Sequence, residues 1–325
     1  MTDKDLVKVA DLLHEENNIL ITSHLNPDGD SVGSVLALGL ALKSRGKNVS
    51  LTTIDPVPSK YLFLPRTELI KEWKEVVENN YNLVVVLDCS DLKRIEPLGD
   101  SIIKKERLLN IDHHVTNQYF GNYNYVNDQA SSVGEIIFEL LELMSLEINY
   151  EIALCIYTAI CTDTGSFKFP NTTPRTHRIA AKLIESGVEP AEVNRNVYEN
   201  VSKGGVMLIR ETLKTLEFDC HDKIAYLTIT RETMEKTGAR EEEIEGIINY
   251  TRRIKGVEVG ILFRETNKGK IRVAFRSHNV DVSRLAAVYN GGGHPRAAGC
   301  QMDKNLAEAR SDVLRQARLF LNDLK

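Results

Sequence analysis

Residues 83–87 read Leu-Val-Val-Val-Leu, five apolar side chains in succession with no polar alternation. A strand with one wet face alternates, whereas an unbroken β-branched run is buried on both faces. Such a strand needs helices above and below it. That makes the first half of the chain a parallel α/β sheet. The flanking sequence agrees: Asn18–Ser23, Val49–Thr53 and Arg107–Ile111 read as further strands. Helical spacing places Leu6, Val9, Leu12 and Leu13 on one face. It also covers the stretch up to Arg45 and the segments Ser132–Met144 and Tyr150–Thr162.

The pattern changes near Ser186–Gly187 and Pro190. A chain of 325 residues, at roughly 150 per domain, suggests two domains. The expected division is a parallel α/β domain over 1–190, a helical linker over about 191–204 and a smaller α/β domain over 205–325. In the latter, Ile224–Thr230, Val257–Phe263 and Ile271–Phe275 read as strands. Helices are expected near Glu241–Tyr250, Val282–Tyr289 and Leu306–Leu324.

Metal-type side chains follow the ends of several elements. His24, Asp28 and Asp30 lie in SHLNPDGDS, and Asp88 directly follows the LVVVL run. Asp112, His113 and His114 lie in NIDHH, and Asp163 sits in TDTG near a helix end. In an open parallel sheet the carboxyl ends of the strands share one edge, where ligands bind. Carboxylates gathered there repel one another unless a cation neutralises them. Asp28, Asp30, Asp88 and Asp163, with His24 and His113, balance two divalent ions. Nitrogen and carboxylate oxygen without thiolate suit Mn²⁺ better than structural zinc or an all-oxygen Mg²⁺ or Ca²⁺ site. Singly, each residue has a plain explanation: Asp88 as a turn former, Asn26–Gly29 as a turn, Asp30 as a helix cap. Four clusters in order outweigh those.

Charge and cysteine content narrow the function. The 41 Lys and Arg against 46 Asp and Glu leave a net charge of −5, which argues against a clamp for long duplex DNA. A short phosphorylated ligand remains. The 5 cysteines form no C-x-x-C pair and read as reduced thiols. The apolar run Val32–Leu42 is shorter than the ~20 residues that cross a bilayer. No signal-peptide core begins the chain. A cytoplasmic protein without membrane contact is expected. Neither a GxSxG elbow nor a GxxxxGK[ST] loop is present. In the second half, Gly291, Gly292 and Gly293 would let backbone N–H groups approach an anion. His294, Arg276 and Ser277 offer donors to it. Ser131 and Ser132 read as a helix cap, and Lys93 and Arg94 as a solvated face.

The ordered set of HLNPDGDS loop, buried-strand Asp88, Asp112-His113-His114 and Asp163 in DTG resembles the DHH phosphoesterase superfamily. GGGHPRAAG is similar to the signature of the DHH-associated C-terminal domain. In order and size the chain looks like the compact oligoribonuclease (nanoRNase) branch. The resemblance implies one ion on His24, Asp28 and Asp88, and a second on Asp30, Asp88, His113 and Asp163, with Asp88 bridging. His114 would face the phosphate, with Asp112 orienting the histidine pair. Arg276, Ser277, Gly292 and His294 would grip the terminal nucleotide. The implied activity is hydrolysis of short RNAs and of 3′-phosphoadenosine 5′-phosphate, by a homodimer built from the first domain. A phosphodiesterase for linear or cyclic dinucleotides is the runner-up. A noncatalytic nucleotide- or RNA-binding protein is the alternative of another class.

Overall fold

The computed structural model describes residues 3–77, 79–99, 107–244 and 246–322. The chain divides into two compact units, Met1–Asn200 and Val201–Lys325. Their boundary falls inside the segment expected as a linker.

The first unit opens with α1 (Asp3–Glu15), β1 (Asn18–Thr22), α2 (Gly29–Ser44) and β2 (Asn48–Thr53). Next come β3 (Ile70–Glu72), α3 (Trp73–Val76), β4 (Leu83–Leu87), β5 (Leu108–Asp112) and β6 (Tyr123–Val126). The helices α4 (Val133–Leu143), α5 (Tyr150–Asp163), α6 (Pro174–Glu185) and α7 (Pro190–Asn194) complete it. The 6 strands are all parallel, in the order β3-β2-β1-β4-β5-β6. Every residue of β4 is buried, as the LVVVL run requires. It lies between β1 and β5 in the middle of the sheet. The edge strands β3 and β6 escape detection in the sequence because they are short and partly exposed, with no apolar run.

Helix α2 is apolar almost all round and buried through most of its length. A Cβ on Gly33 would meet the Cys155 carbonyl oxygen of α5 at 2.4 Å, so the two helices pack backbone against backbone. That contact fixes how the start of α2 and the end of α5 face each other.

The second unit holds α8 (Lys203–Leu213), β7 (Glu217–Asp219), β8 (Ile224–Ile229) and α9 (Arg231–Thr237). It continues with α10 (Asn249–Arg252), β9 (Val259–Glu265), β10 (Ile271–Ser277) and α11 (Val282–Ala287). The elements β11 (Gly292–His294), β12 (Ala297–Met302) and α12 (Leu306–Asn322) end it. Its 6-stranded sheet runs β11-β12-β10-β9-β8-β7 and is mixed. Only β8 and β9 pair in parallel. Ile271, Val273 and Phe275 alternate inward along β10, the period of a strand with one core face. The helix expected over Glu241–Tyr250 is instead a 3₁₀ turn, Glu241–Ile244, and the short α10. Between them Gly246 adopts φ 85°, which an α-helix cannot continue through. Among the described residues no helix is long and apolar enough to cross a membrane.

Candidate metal centre

Strand order reverses between β1 and β4, and ligands of open α/β sheets bind at such a switch point, beyond the strand ends. Thr22 is in register with Val86, and Leu87 with Ile111. Carrying that register onward puts His24, Asp88 and Asp112 side by side. Asp88 is the first residue past β4 and takes φ 56°, the left-handed region that Asp tolerates better than most residues. The carboxylate is thereby turned across the sheet edge.

Two groups of side chains converge on it. His24 Nε2 lies 3.3 Å from Asp88 Oδ2 and 3.8 Å from Asp28 Oδ2. His113 Nε2 lies 3.7 Å from Asp88 Oδ1, 3.9 Å from Asp30 Oδ2 and 3.5 Å from Asp163 Oδ2. Each oxygen of Asp88 faces a different group. Asp28, not Asp30, caps α2, accepting from Ser31 N at 3.0 Å. Asp30 lies two residues on, in the helix's first turn, and is fully buried, accepting from Ser34 Oγ, Val133 N and Gly134 N. Asp163 is the last residue of α5, and the α2–α5 packing brings it to Asp30 and His113.

The electrostatics show what the cluster lacks. Burial, together with Asp30 and Asp28, drives Asp88 well above the carboxylate range. Burial pushes Asp163 up to about 8 against the pull of His113, and it raises Asp30 too. Partial burial opposes charge on His113, yet Asp163, Asp88 and Asp30 lift it to about 9. These four shifts take up protons, the response of a site short of positive charge, whereas, despite partial burial, Asp28 is lowered by His24 and the Ser31 N–H.

The donor set fits divalent ions. Asp88 Oδ1 is buried and makes no hydrogen bond. His24 Nδ1 donates to the Leu25 carbonyl at 2.7 Å and His113 Nδ1 to that of Ala130 at 3.3 Å. Both rings therefore turn the Nε2 lone pair toward carboxylates, the tautomer of a metal-bound histidine. Bonds of about 2.0–2.2 Å to a shared ion place neighbouring ligand atoms about 3.0–3.5 Å apart. The 3.3 and 3.5 Å separations fall within that range, and those of 3.7–3.9 Å are slightly wider.

His114 and Asp112 behave differently. His114 Nδ1 donates to Asp112 Oδ1 at 2.6 Å, which directs Nε2 to the opposite side of the ring. Asp112 also accepts from the His113 backbone N–H at 2.8 Å and from Asn117 Nδ2 at 2.6 Å. Those bonds outweigh its burial and hold its carboxyl below the usual range. Asn117 in turn donates to Asn110 Oδ1. Neither asparagine was singled out from the sequence, although Asn110 is a buried polar residue inside an apolar strand. Ser132 caps α4, as expected, while Ser131 Oγ bonds Glu135.

The residues expected to grip substrate belong to the second unit. Arg276 is the last residue but one of β10, half-buried, with its guanidinium donating to the Phe275 carbonyl. Ser277 is buried and its hydroxyl donates to Val280 O, holding the following turn. Gly292 is open, with room for a side chain, whereas a Cβ on Gly291 would meet Gly299 O at 2.3 Å. Gly293 takes φ 137°, and a Cβ there would meet Ala297 O at 2.5 Å. The backbone of His294 pairs with Ala297, while its side chain lies outside the described residues.

Comparison with known proteins follows the same division. Residues 18–160 match the DHH family, N-terminal domain, and residues 221–323 match the DHHA1 domain. The chain is 33% identical to a bifunctional oligoribonuclease and PAP phosphatase NrnA of Thermus thermophilus, over 95% of this chain and 92% of that protein. It is 30% identical to the protein of the same name from Bacillus subtilis, over 88% and 90%. An exopolyphosphatase-related protein from Bacteroides fragilis superposes with a TM-score of 0.92 at 27% identity, covering 99% and 98%. The chain belongs to the DHH family, in the two-domain form that joins a DHH domain to a DHHA1 domain.

Proposed function

We propose that the chain is a two-metal phosphoesterase that hydrolyses short oligoribonucleotides to mononucleotides and dephosphorylates 3′-phosphoadenosine 5′-phosphate. The observation that carries this is Asp88, whose two oxygens face two separate ligand groups. The near full-length similarity to relatives named for both activities supports the substrates. His24, Asp28 and Asp88 would hold one ion, and Asp30, Asp88, His113 and Asp163 the other, with Mn²⁺ best suited to the donors. Two divalent ions held there would supply acidification of a water and offset charge on the phosphoryl oxygens.

The protein's own groups do the rest. His114, fixed through Nδ1 by Asp112, presents Nε2 to deliver a proton to the leaving oxygen. Arg276, the backbone of Gly291–Gly293 and His294 bind the nucleotide, and Ser277 shapes the turn beside them. The resemblance also supports a cytoplasmic homodimer.

The test is a substrate panel with Mn²⁺: RNAs of two to five nucleotides, 3′-phosphoadenosine 5′-phosphate, linear and cyclic dinucleotides, and polyphosphate. Release of mononucleotides and of phosphate from the first two, both stopped by chelation, is expected. Turnover confined to dinucleotide signalling molecules or polyphosphate would overturn the substrate assignment. Tight binding of RNA without turnover would overturn the enzyme itself.

A further inference from the structure

Residues 130–134, the loop entering α4 together with the helix's first two residues, touch several members of one ligand group. Val133 N–H donates to Asp30 Oδ2 at 2.7 Å and Gly134 N–H to Asp30 Oδ1 at 2.9 Å. The Ala130 carbonyl accepts from His113 Nδ1 at 3.3 Å. Asn171 Nδ2 links the loop to the helix end beneath Asp163, donating to Ser131 O at 2.9 Å and to Asp163 O at 3.2 Å. Asp30, His113 and Asp163 are thus tied to a single loop. Among the described residues, its hydrogen bonds reach neither His24 nor Asp28.

Behind the loop stands Glu135, whose side chain is fully buried. Its Oε2 accepts from Ser131 Oγ at 2.6 Å and from Thr176 Oγ1 at 2.9 Å. Its Oε1 lies 3.1 Å from Arg175 Nε, and the same guanidinium also pairs with Glu139. Helix α6 presents Arg175 and Thr176 from its first turn, where Thr173 caps it. One carboxylate therefore ties the loop to a second, independently capped helix. A buried charge is costly, and an apolar side chain of similar size would pack there without that cost. Holding the loop's position gives the charge a use.

We propose that Glu135 and Arg175 form a positioning pair for the Asp30–His113–Asp163 ion. They fix the 130–134 loop so that Asp30 and His113 keep the spacing a divalent cation requires, and they touch neither cation nor substrate. The inference rests on the metal assignment of those three residues.

The experiment is a Mn²⁺ titration of the full-length, metal-stripped protein, followed by the electron paramagnetic resonance of free Mn²⁺. Asp30→Asn marks which binding event belongs to this position. Glu135→Gln, which keeps the shape and loses the charge, should weaken that event by about tenfold to a hundredfold, the usual effect of an outer partner of a metal site. The other event should stay unchanged, and activity should return at raised Mn²⁺. Ser131→Ala, which removes one donor alone, should shift the same event less, and Arg175→Lys should restore part of what Arg175→Met loses. If both events weaken together, or only the melting temperature falls, Glu135 supports the fold and the proposal is wrong. If wild type binds two ions and Glu135→Gln binds both as tightly, the proposal again fails while the metal assignment stands. A wild-type protein that binds no Mn²⁺ would instead remove the metal assignment and the proposal with it.

Discussion

In the first unit Asp30, Asp88, Asp112 and Glu135 are all buried, together with His24 and His114. In the second unit, no acid or base among the described residues is buried. Its acids pair at the surface instead, as Asp219 does with Arg318 at 2.7 Å and Glu217 with Arg310 at 3.0 Å. Both units carry a 6-stranded sheet, so the fold does not force the difference. Burying charge opposes folding unless something compensates it. The unit that does so is the one whose sheet is parallel and whose strand ends meet. Its stability is therefore expected to depend on a bound cation, whereas no buried charge among the described residues of the second unit calls for one.

The largest expected effect comes from removing the shared charge. Asp88→Asn should reduce turnover by more than the roughly tenfold to hundredfold typical of outer metal partners. It should not lower the melting temperature of the metal-free protein, because a repelled buried carboxylate is replaced by a neutral amide. Wild-type rate with full metal content, measured by elemental analysis, would break the comparison.

Chelation comes next. At Mn²⁺ about a hundredfold above its dissociation constant, each ion should stabilise the first unit by about 2.7 kcal/mol. Calorimetry with and without EDTA should show one transition moving and the other standing still. Movement of both would mean that the second unit also depends on metal.

Arg276→Ala sharpens the division from the other side. A charge-assisted contact is worth about 1.5–3 kcal/mol, so kcat/KM on a dinucleotide should fall roughly tenfold to a hundredfold. Hydrolysis of a small activated diester, too short to use the contact, should hold. Parallel loss on both substrates would make Arg276 a structural residue.

The smallest effect concerns the surface pairs. Hydrogen bonding from Arg318 holds the Asp219 carboxyl below its usual range. A depressed folded value stabilises above the unfolded one, and the stabilisation is lost as pH falls through the folded value. Arg318→Met should therefore cost at most about 1 kcal/mol at neutral pH. The difference from wild type should begin to shrink as pH falls to about 4, the unfolded carboxylate value, and vanish only below the lower folded value. A cost that persists in acid would point to lost packing by the arginine stem.

Much of the first unit was legible because its signals are local. An apolar run such as Leu83–Leu87 can only be a buried strand, and the residue directly after it must lie at the sheet edge. The residues that support the ligands were not legible, because each looks ordinary alone. Glu135 reads as an acid in the first turn of a helix, and Asn117 as a loop polar residue. Only the folded chain shows that they face buried partners. Ser277 shows a related difficulty: a hydroxyl at a strand end looks freely available, whereas in the fold it is buried and donates to the turn after it.

The left-handed backbone at Asp88 also bears on how this chain can drift. Most side chains at that position would add roughly 1–2 kcal/mol of steric strain, whereas Asn, like Asp, fits it readily. Aspartate and asparagine codons differ by a single base. Among the replacements one base away, asparagine thus keeps both the backbone conformation and the side-chain shape while removing the charged shared ligand. A gene duplicate could pass from hydrolase to silent nucleotide binder in one substitution, with the other ligand residues unaltered. In any related chain, the identity of this residue is the first thing to inspect before an activity is assigned.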